Sequence, residues 1–141
     1  MKLIAHRGLF NGPDLLLENK PEQIELAIKL GFDVEVDVWY INNALYLGHD
    51  YPAYEIPLEF LQRKEIWAHA KDLPALQYML DNNVHCFWHE VDQRTLTSKG
   101  YIWTYPEEET LSRSVLVVQD HIKPSNENIY GVCSDYVAEW K

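Results

Sequence analysis

A short run in which valines alternate with acids constrains this chain more than any other feature of its sequence. The run is Val34-Glu35-Val36-Asp37-Val38. Successive side chains of a strand point to opposite faces, so Glu35 and Asp37 project together while the valines take the other side. Two neighbouring carboxylates in an apolar setting repel each other unless a cation or strong donors compensate them. A divalent metal is the simplest compensation, and the strand therefore predicts a metal site.

The size and charge of the chain limit what it can be. With 141 residues it is long enough for one domain with a core and too short for two, so we expect a single domain over residues 1–141. A net charge of −10 and a pI near 4.9 argue against binding to nucleic acid or anionic membranes, which basic patches drive. An anionic substrate would have to meet a local cation inside a cleft.

The two cysteines and the hydropathy of the chain bear on its location. Cys86 and Cys133 show no metal or disulfide spacing, so we expect free thiols in a reducing compartment. The first residues contain no signal-peptide pattern, and no apolar run approaches the roughly 20 residues that span a membrane. We therefore expect a cytoplasmic protein without stable membrane insertion, and leave a homo-oligomer open.

The order of predicted elements is typical of an α/β protein with parallel strands. Helices are expected over 21–30, where Pro21 suits the first turn and Gly31 the end, and over 73–82. A hairpin is expected over 39–47, because Asn42-Asn43 tolerates the positive φ of a tight turn. The other strands are predicted at 3–6, 34–38, 65–70, 84–91, 100–105, 115–119 and 130–136.

Polar residues follow the first three parallel strands at the points where those strands end. His6 and Arg7 end the first strand, the acid pair ends the second, and His49 follows the hairpin. His69 and Lys71 lie two apart at the end of the third strand and so share a face. In parallel α/β folds the reacting groups collect at the carboxyl ends of the strands. The sequence therefore predicts one site that contains both acids, three imidazoles and two cations.

These motifs carry a resemblance to a known family. Ile4-Ala5-His6-Arg7-Gly8, then Glu18-Asn19, a helix, the Glu-x-Asp strand, a hairpin and His49-Asp50 occur in this order over residues 3–50. The pattern resembles the glycerophosphodiester phosphodiesterase family and the related sphingomyelinase D and phosphatidylinositol phospholipase C-like enzymes. The resemblance implies a (β/α)8 barrel, a divalent cation and a phosphodiester substrate.

The resemblance also implies a role for each residue that matches the motif. His6 and His49 would be the acid–base pair, and Glu35 and Asp37 would be metal ligands. Arg7 and Lys71 would bind the phosphate, and Asn19 would be an orienting group in the substrate site.

The chain departs from the family at His69, where the family usually has a third metal carboxylate two residues before the lysine. Imidazole is a good ligand for Zn, Mn, Fe or Ni and a poor one for Mg or Ca. The cation expected from the resemblance is Mg, Mn or Ca, and His69 as third ligand would also admit Zn. The alternative is that His69 contacts the substrate and a water completes the metal site.

The second departure is length, because a (β/α)8 barrel ordinarily needs roughly 200 residues or more. The fold expected from the resemblance is therefore a reduced TIM-like (β/α) barrel with missing outer helices.

The function expected from these residues is that of a metal-dependent phosphodiester hydrolase or lyase. It would cleave a small glycerol- or sugar-linked phosphodiester by acid–base catalysis with two histidines. One alternative is a catalytically reduced module that only binds phosphate or a phosphosugar, and another is a metal-dependent isomerase or aldolase-like enzyme. His89 is a weaker candidate for the wall of the site, and Trp88 and Trp103 are more typical of packing.

Overall fold

The computed structural model describes residues 1–125 and 128–141, which form ten strands, three short α-helices and one 3-10 helix. The strands are Lys2–His6 (β1), Asp33–Ile41 (β2), Ala44–Leu47 (β3), Tyr54–Ile56 (β4), Ile66–Ala70 (β5), Cys86–Phe87 (β6), Arg94–Leu96 (β7), Ile102–Thr104 (β8), Ser114–Val117 (β9) and Gly131–Ser134 (β10). The helices are Pro21–Lys29 (α1), Leu58–Leu61 (α2), Leu73–Asp81 (α3) and the 3-10 helix Val137–Trp140.

All ten strands belong to one mixed sheet that curls into a half-barrel. Its parallel part runs in the order β8-β9-β10-β1-β2-β5-β6. The hairpin β3-β4 adds antiparallel strands to the far half of β2, and β7 adds one to β8. Because the parallel strands point the same way, their carboxyl ends meet on one rim of the curled sheet.

The predicted TIM-like barrel is wrong. Helices do not alternate with strands around the sheet, and among the described residues only three short α-helices are present. The connections from β8 to β9 (105–113) and from β9 to β10 (118–130) carry Pro106 and Pro124 and no helix in their described parts. Proline removes a backbone donor and disfavours helix at the residue before it, which fits the irregular conformation of the described parts of both segments.

The valine–acid alternation of β2 separates two apolar layers, as the sequence predicts. Val34, Val36 and Val38 are fully buried on the convex face, which α1, α3 and the 3-10 helix cover. Glu35 and Asp37 lie on the concave face, above a second apolar cluster. That cluster comprises Ile4, Trp67, Phe87, Trp103, Val115 and Cys133.

In the first half of the chain, the helix ends and the hairpin turn lie where the local sequence signals predicted them. Pro21 begins α1, Gly31 follows it with φ +97°, and the Asp72 side chain caps α3 by accepting from Ala75 N–H at 2.7 Å. Asn42-Asn43 forms the hairpin turn with both φ angles positive, 51° and 61°. These features depend on neighbouring residues only.

Other predicted boundaries differ from the structure. The strand expected at 84–91 is reduced to Cys86–Phe87, because the chain turns into a loop at the rim after Phe87. Strands β4 and β7 were not predicted. Both are three-residue strands paired on one edge, too short to show an alternating pattern. Within the described residues, no helix has the length and apolar content needed to cross a membrane.

Candidate active site

The carboxyl-end rim of the sheet encloses a cavity of about 680 Å³, and the predicted site residues gather there. Seven of the eight line it, while Asn19 is fully buried behind them. The seven are His6, Arg7, Glu35, Asp37, His49, His69 and Lys71.

The three predicted metal ligands form a compact group on the concave face. Glu35 and Asp37 are only 3% and 1% exposed. One ligand atom each from these carboxylates and from His69 lie within 4.8 Å of one another. Register explains this proximity, because Asp37 of β2 pairs directly with His69 of β5. Two carboxylates and one imidazole are a donor set that suits a divalent transition metal with open positions for water or substrate.

The hydrogen bonding of His69 suits a ligand role. Its Nε2 lies 3.2 Å from the backbone carbonyl of His89, and because a carbonyl only accepts, Nε2 carries the hydrogen. Its Nδ1 faces Asp37 Oδ1 at 3.3 Å. Burial would lower the pKa of His69, but the neighbouring Asp37 carboxylate and the Glu35 charge outweigh burial and raise it. Nδ1 therefore favours a hydrogen directed at Asp37, and a bound cation would take the place of that hydrogen. Metal-bound histidines typically donate the N–H of the nitrogen that does not bind the metal, as Nε2 does here to the His89 carbonyl.

The electrostatics of the acid pair also fit a cation. Burial raises the pKa of Glu35, and the neighbouring Asp37 charge raises it further. Burial would also raise the pKa of Asp37, but the close His49 and His69 rings and the Asn19 hydrogen bond outweigh it and hold that pKa well below its usual range. Glu35 is thus the carboxylate that most lacks compensation, and a bound divalent cation would supply it.

His6 is held by a carboxylate that the sequence analysis did not assign. Its Nδ1 lies 2.8 Å from Asp135 Oδ1, and its Nε2 lies 3.6 Å from Glu35 Oε2. Burial would lower the pKa of His6, but the Asp135 hydrogen bond and the Glu35 charge outweigh burial and raise it. Asp135 therefore orients the ring with Nδ1–H toward itself and favours the protonated imidazole.

Arg7 sits at the centre of an ion-pair network. Its backbone has a left-handed φ of 55°, and Gly8 follows with φ +81°, which turns the side chain over the cavity. The guanidinium donates to Glu18 Oε2 at 2.9 Å and lies 3.4 Å from Asp37 Oδ2. Its Nη2 lies 3.3 Å from His49 Nε2. A guanidinium only donates, so His49 accepts there with a lone pair on Nε2.

Gly48 determines where His49 lies. A Cβ at this position would lie 1.9 Å from the Tyr51 carbonyl oxygen, so only glycine fits. The Gly48 carbonyl accepts from Trp39 Nε1 at 2.6 Å, and its N–H donates to the Asp37 carbonyl at 3.1 Å. These bonds bring His49 Nδ1 to 3.5 Å from Asp37 Oδ2.

Asn19 supports the site from behind. Its side-chain Nδ2 donates to Asp37 Oδ2 at 2.9 Å, and its side-chain Oδ1 accepts from the Asp37 backbone N–H at 3.0 Å. Its left-handed φ of 59° is one that asparagine tolerates. Asn19 therefore contacts Asp37 from behind and does not line the cavity, and its role in the substrate site stays a prediction.

Sequence reasoning missed Glu18, Asp135 and Tyr105. Asp135 follows the last parallel strand, and the strand-end rule that selected His6 and His69 would have found it. Glu18 adjoins Asn19 in the quoted motif. Tyr105 follows β8 and lines the cavity, but nothing in its local sequence distinguishes it from packing aromatics.

Comparisons of the chain with protein-family models, curated proteins and solved structures found no match in any of the three.

Proposed function

We propose that this protein is a metal-dependent phosphodiester hydrolase or lyase acting on a small glycerol- or sugar-linked phosphodiester. The observation that carries the proposal is the convergence of His6 and His49 on the same cavity as the Glu35–Asp37–His69 group. Phosphate binding alone has no need of two acid–base groups beside a cation site, whereas diester cleavage needs both.

Glu35, Asp37 and His69 would hold the metal. A bound divalent cation would neutralise negative charge on a phosphate oxygen as it develops in the transition state. The remaining chemistry belongs to side chains of this chain.

His6 suits the general acid. Asp135 and Glu35 favour its protonated form, and Nε2, the nitrogen that Asp135 leaves free, faces the cavity. As the bond from phosphorus to the leaving oxygen breaks, Nε2 would give its proton to that oxygen. The product alcohol then leaves uncharged.

His49 suits the general base. In the free protein its Nε2 lone pair accepts from Arg7, so that pair must be released before it can take a proton. A substrate phosphate would attract the Arg7 guanidinium away from His49. His49 would then deprotonate the attacking oxygen, either of water or of a neighbouring substrate hydroxyl, as the new bond to phosphorus forms.

Arg7 and Lys71 are the cations of the cavity and suit the phosphate. Arg7 has a planar fork of donors, while Lys71 offers a point charge at the end of β5. The same lining carries the carboxylates Glu35, Asp37, Glu90 and Asp135, so an anionic substrate would depend on these two cations together with a bound metal ion.

The second candidate is a binding module without turnover. The observation that favours it is that the Arg7 guanidinium already contacts Glu18, Asp37 and His49. If these contacts persisted in the complex, His49 could not act as a base.

A turnover assay separates the two candidates. Glycerophosphodiesters and bis(4-nitrophenyl) phosphate would be incubated with the protein and Mn²⁺, with EDTA, and with an Asp37→Asn variant as matched control. We expect cleavage with Mn²⁺ that EDTA and the variant abolish, and phosphorus NMR of the product would distinguish hydrolysis from a cyclic phosphate. Phosphate binding without turnover of any diester would favour the binding module.

A cytoplasmic location is part of the proposal, together with a small-molecule partner. The support is that Cys86 and Cys133 are both free and buried, as expected in a reducing compartment.

A further inference from the structure

The cavity wall formed by β8 and the loop after β6 contains two residues with no role in the chemistry above. Tyr105 follows β8 and His89 follows β6, and both line the cavity with the metal-ligand group. Their rings stack with centroids 4.1 Å apart and an angle of 21° between the planes. This paired ring system lies on strands other than those that carry His6, Arg7 and His49.

The surroundings of the Tyr105 hydroxyl make it a hydrogen-bond donor to the cavity. Tyr105 lines the cavity, and a phenol hydroxyl can donate its hydrogen to a ligand there. Burial raises the pKa of Tyr105, and the charges of Glu35 and Asp37 raise it further. The hydroxyl therefore keeps its hydrogen at any pH at which the protein would act. Tyr105 lines the same cavity as both carboxylates.

His89 is placed to hold the Tyr105 ring in position. Its side chain is 9% exposed, and its Nδ1 is a buried atom without a hydrogen bond among the residues that the structure describes. Its backbone carbonyl accepts from His69 Nε2, which ties the loop after β6 to the metal-ligand group. The stack thus links the position of the tyrosine to the same rim that holds the candidate metal ligands.

We propose that the Tyr105 hydroxyl is a third phosphate-binding group, a neutral donor on the wall of the cavity formed by β8, and that His89 positions it through the ring stack. The inference rests on the proposed function only in that a phosphate group occupies the cavity. A neutral donor adds a directional bond to a phosphate oxygen without adding charge. The ligand class is accordingly a phosphate ester, gripped by Arg7 and Lys71 together with Tyr105.

Binding of inorganic phosphate in the presence of Mn²⁺ tests the role of Tyr105. Tyr105→Phe removes one oxygen and keeps the ring, and Tyr101→Phe is the matched control. Tyr101 packs on Trp67 and Tyr130 at the opposite end of the sheet. We expect Tyr105→Phe to weaken phosphate binding about tenfold to hundredfold, the range for losing one hydrogen bond to a charged group. We expect Tyr101→Phe to bind phosphate as the wild type does, with Mn²⁺ affinity unchanged in both variants.

Two substitutions at His89 test the positioning role. His89→Phe keeps a ring for the stack and His89→Ala removes it, while both keep the backbone carbonyl that contacts His69. We expect His89→Ala to weaken phosphate binding about as much as Tyr105→Phe, and His89→Phe to restore most of that affinity. Equal loss in both His89 variants would overturn positioning by stacking.

The inference and the proposed function fail in different ways. Diester turnover by the wild type, with the same phosphate affinity in Tyr105→Phe, would overturn the inference and leave the function standing. Weakened phosphate binding in Tyr105→Phe, with no turnover of any diester by the wild type, would support the inference and reject the function. Absence of phosphate binding by the wild type would overturn the inference directly.

Discussion

Burying the carboxylates of Glu35 and Asp37 costs folding free energy, because each charge loses its contact with water. Each is almost fully buried, and Asp37 is compensated by three side chains whereas Glu35 is left with a raised pKa. A buried uncompensated carboxylate is expensive, so chains seldom keep one without a reason in function.

Replacing either acid with its amide should remove metal binding. We expect Glu35→Gln and Asp37→Asn each to lower Mn²⁺ affinity by at least about a hundredfold in calorimetric titrations, because a charged ligand becomes a neutral one. Asp33→Asn is the control, since Asp33 is a buried carboxylate of the same strand that accepts from Trp67 outside the cavity. Unchanged affinity in both site variants, with folding verified by circular dichroism, would reject the ligand assignment.

The two histidines should respond differently to the leaving group. His6→Ala should slow cleavage of an alkyl diester by about 10²- to 10⁴-fold, the usual value of a general acid. It should affect a 4-nitrophenyl diester far less, because that leaving group departs without protonation. His49→Ala should slow both substrates.

Steady-state rates for both substrates would check this, with His121→Ala as control because His121 is exposed and outside the cavity. Equal sensitivity of His6→Ala to the two leaving groups would contradict its role as the acid.

His69 should determine which metal the site prefers. With an imidazole ligand we expect Mn²⁺ or Zn²⁺ to bind more tightly than Mg²⁺ or Ca²⁺, and His69→Glu should shift that preference toward the harder ions. Titration of both proteins with the four metals measures the shift. If the order of affinities were the same in both, His69 would not be a ligand and a water would complete a two-carboxylate site.

At the scale of elements, the β2-β3 hairpin brings His49 to the site. Its turn at Asn42-Asn43 reverses the chain so that Leu47 pairs with Val38, and Gly48 and His49 follow beside Asp37. The two positive φ angles match a hairpin turn that suits the twist of the strands.

The turn gives a stability prediction that does not involve the site. Asn43→Ala should be less stable than Asn43→Gly by about 1 kcal/mol, because an alanine at φ 61° pays the left-handed penalty that glycine avoids. Both variants lack the asparagine side chain, so each controls for the other. Urea unfolding would measure the difference, and equal free energies of unfolding would show that the turn relaxes when the residue changes.

Element-scale patterns also show where sequence reasoning succeeds. Helices α1 and α3, the hairpin and strands β1, β2 and β5 were predicted close to their observed bounds, because caps, turns and alternation are local signals. Strands β4 and β7 were not predicted, since each has three residues and depends on a partner strand for its conformation.

At the scale of the whole molecule, stability should depend on pH through His85, which is buried at the sheet end opposite the site. Burial lowers its pKa to about 4 from an ordinary 6.5, and the Lys99 charge adds to this. The unfolded chain takes up the proton below pH 6.5 while the folded protein resists it. The resulting stability is complete above pH 6.5 and is lost as the pH falls toward 4.

We therefore expect the wild type to lose about 1–2 kcal/mol more than His85→Gln when unfolding is compared at about pH 7.5 and about pH 5. Glutamine can keep the bond that His85 Nε2 makes with Thr97 Oγ1 at 2.8 Å but does not titrate. Parallel pH dependence in the two proteins would show that His85 is not protonated on unfolding.

The sequence by itself determined the local pieces of this protein: which strand carries the acids, which face they share, and which residues stand at strand ends. Those features follow from the period of a strand and from turn chemistry, which act between near neighbours. The candidate site was predictable to that extent, with His6, Glu35, Asp37, His49 and His69 found from their places in the pattern.

Only the tertiary structure decided what these residues meet. The pairing of β1 with β10 brings Asp135 to His6 across 129 positions of sequence, and the curl of the sheet brings Tyr105 over the same cavity. It also decided that the sheet is a mixed half-barrel without a ring of helices. Pairing between distant strands depends on the packing of the whole core, and a local pattern carries no information about which strands become neighbours.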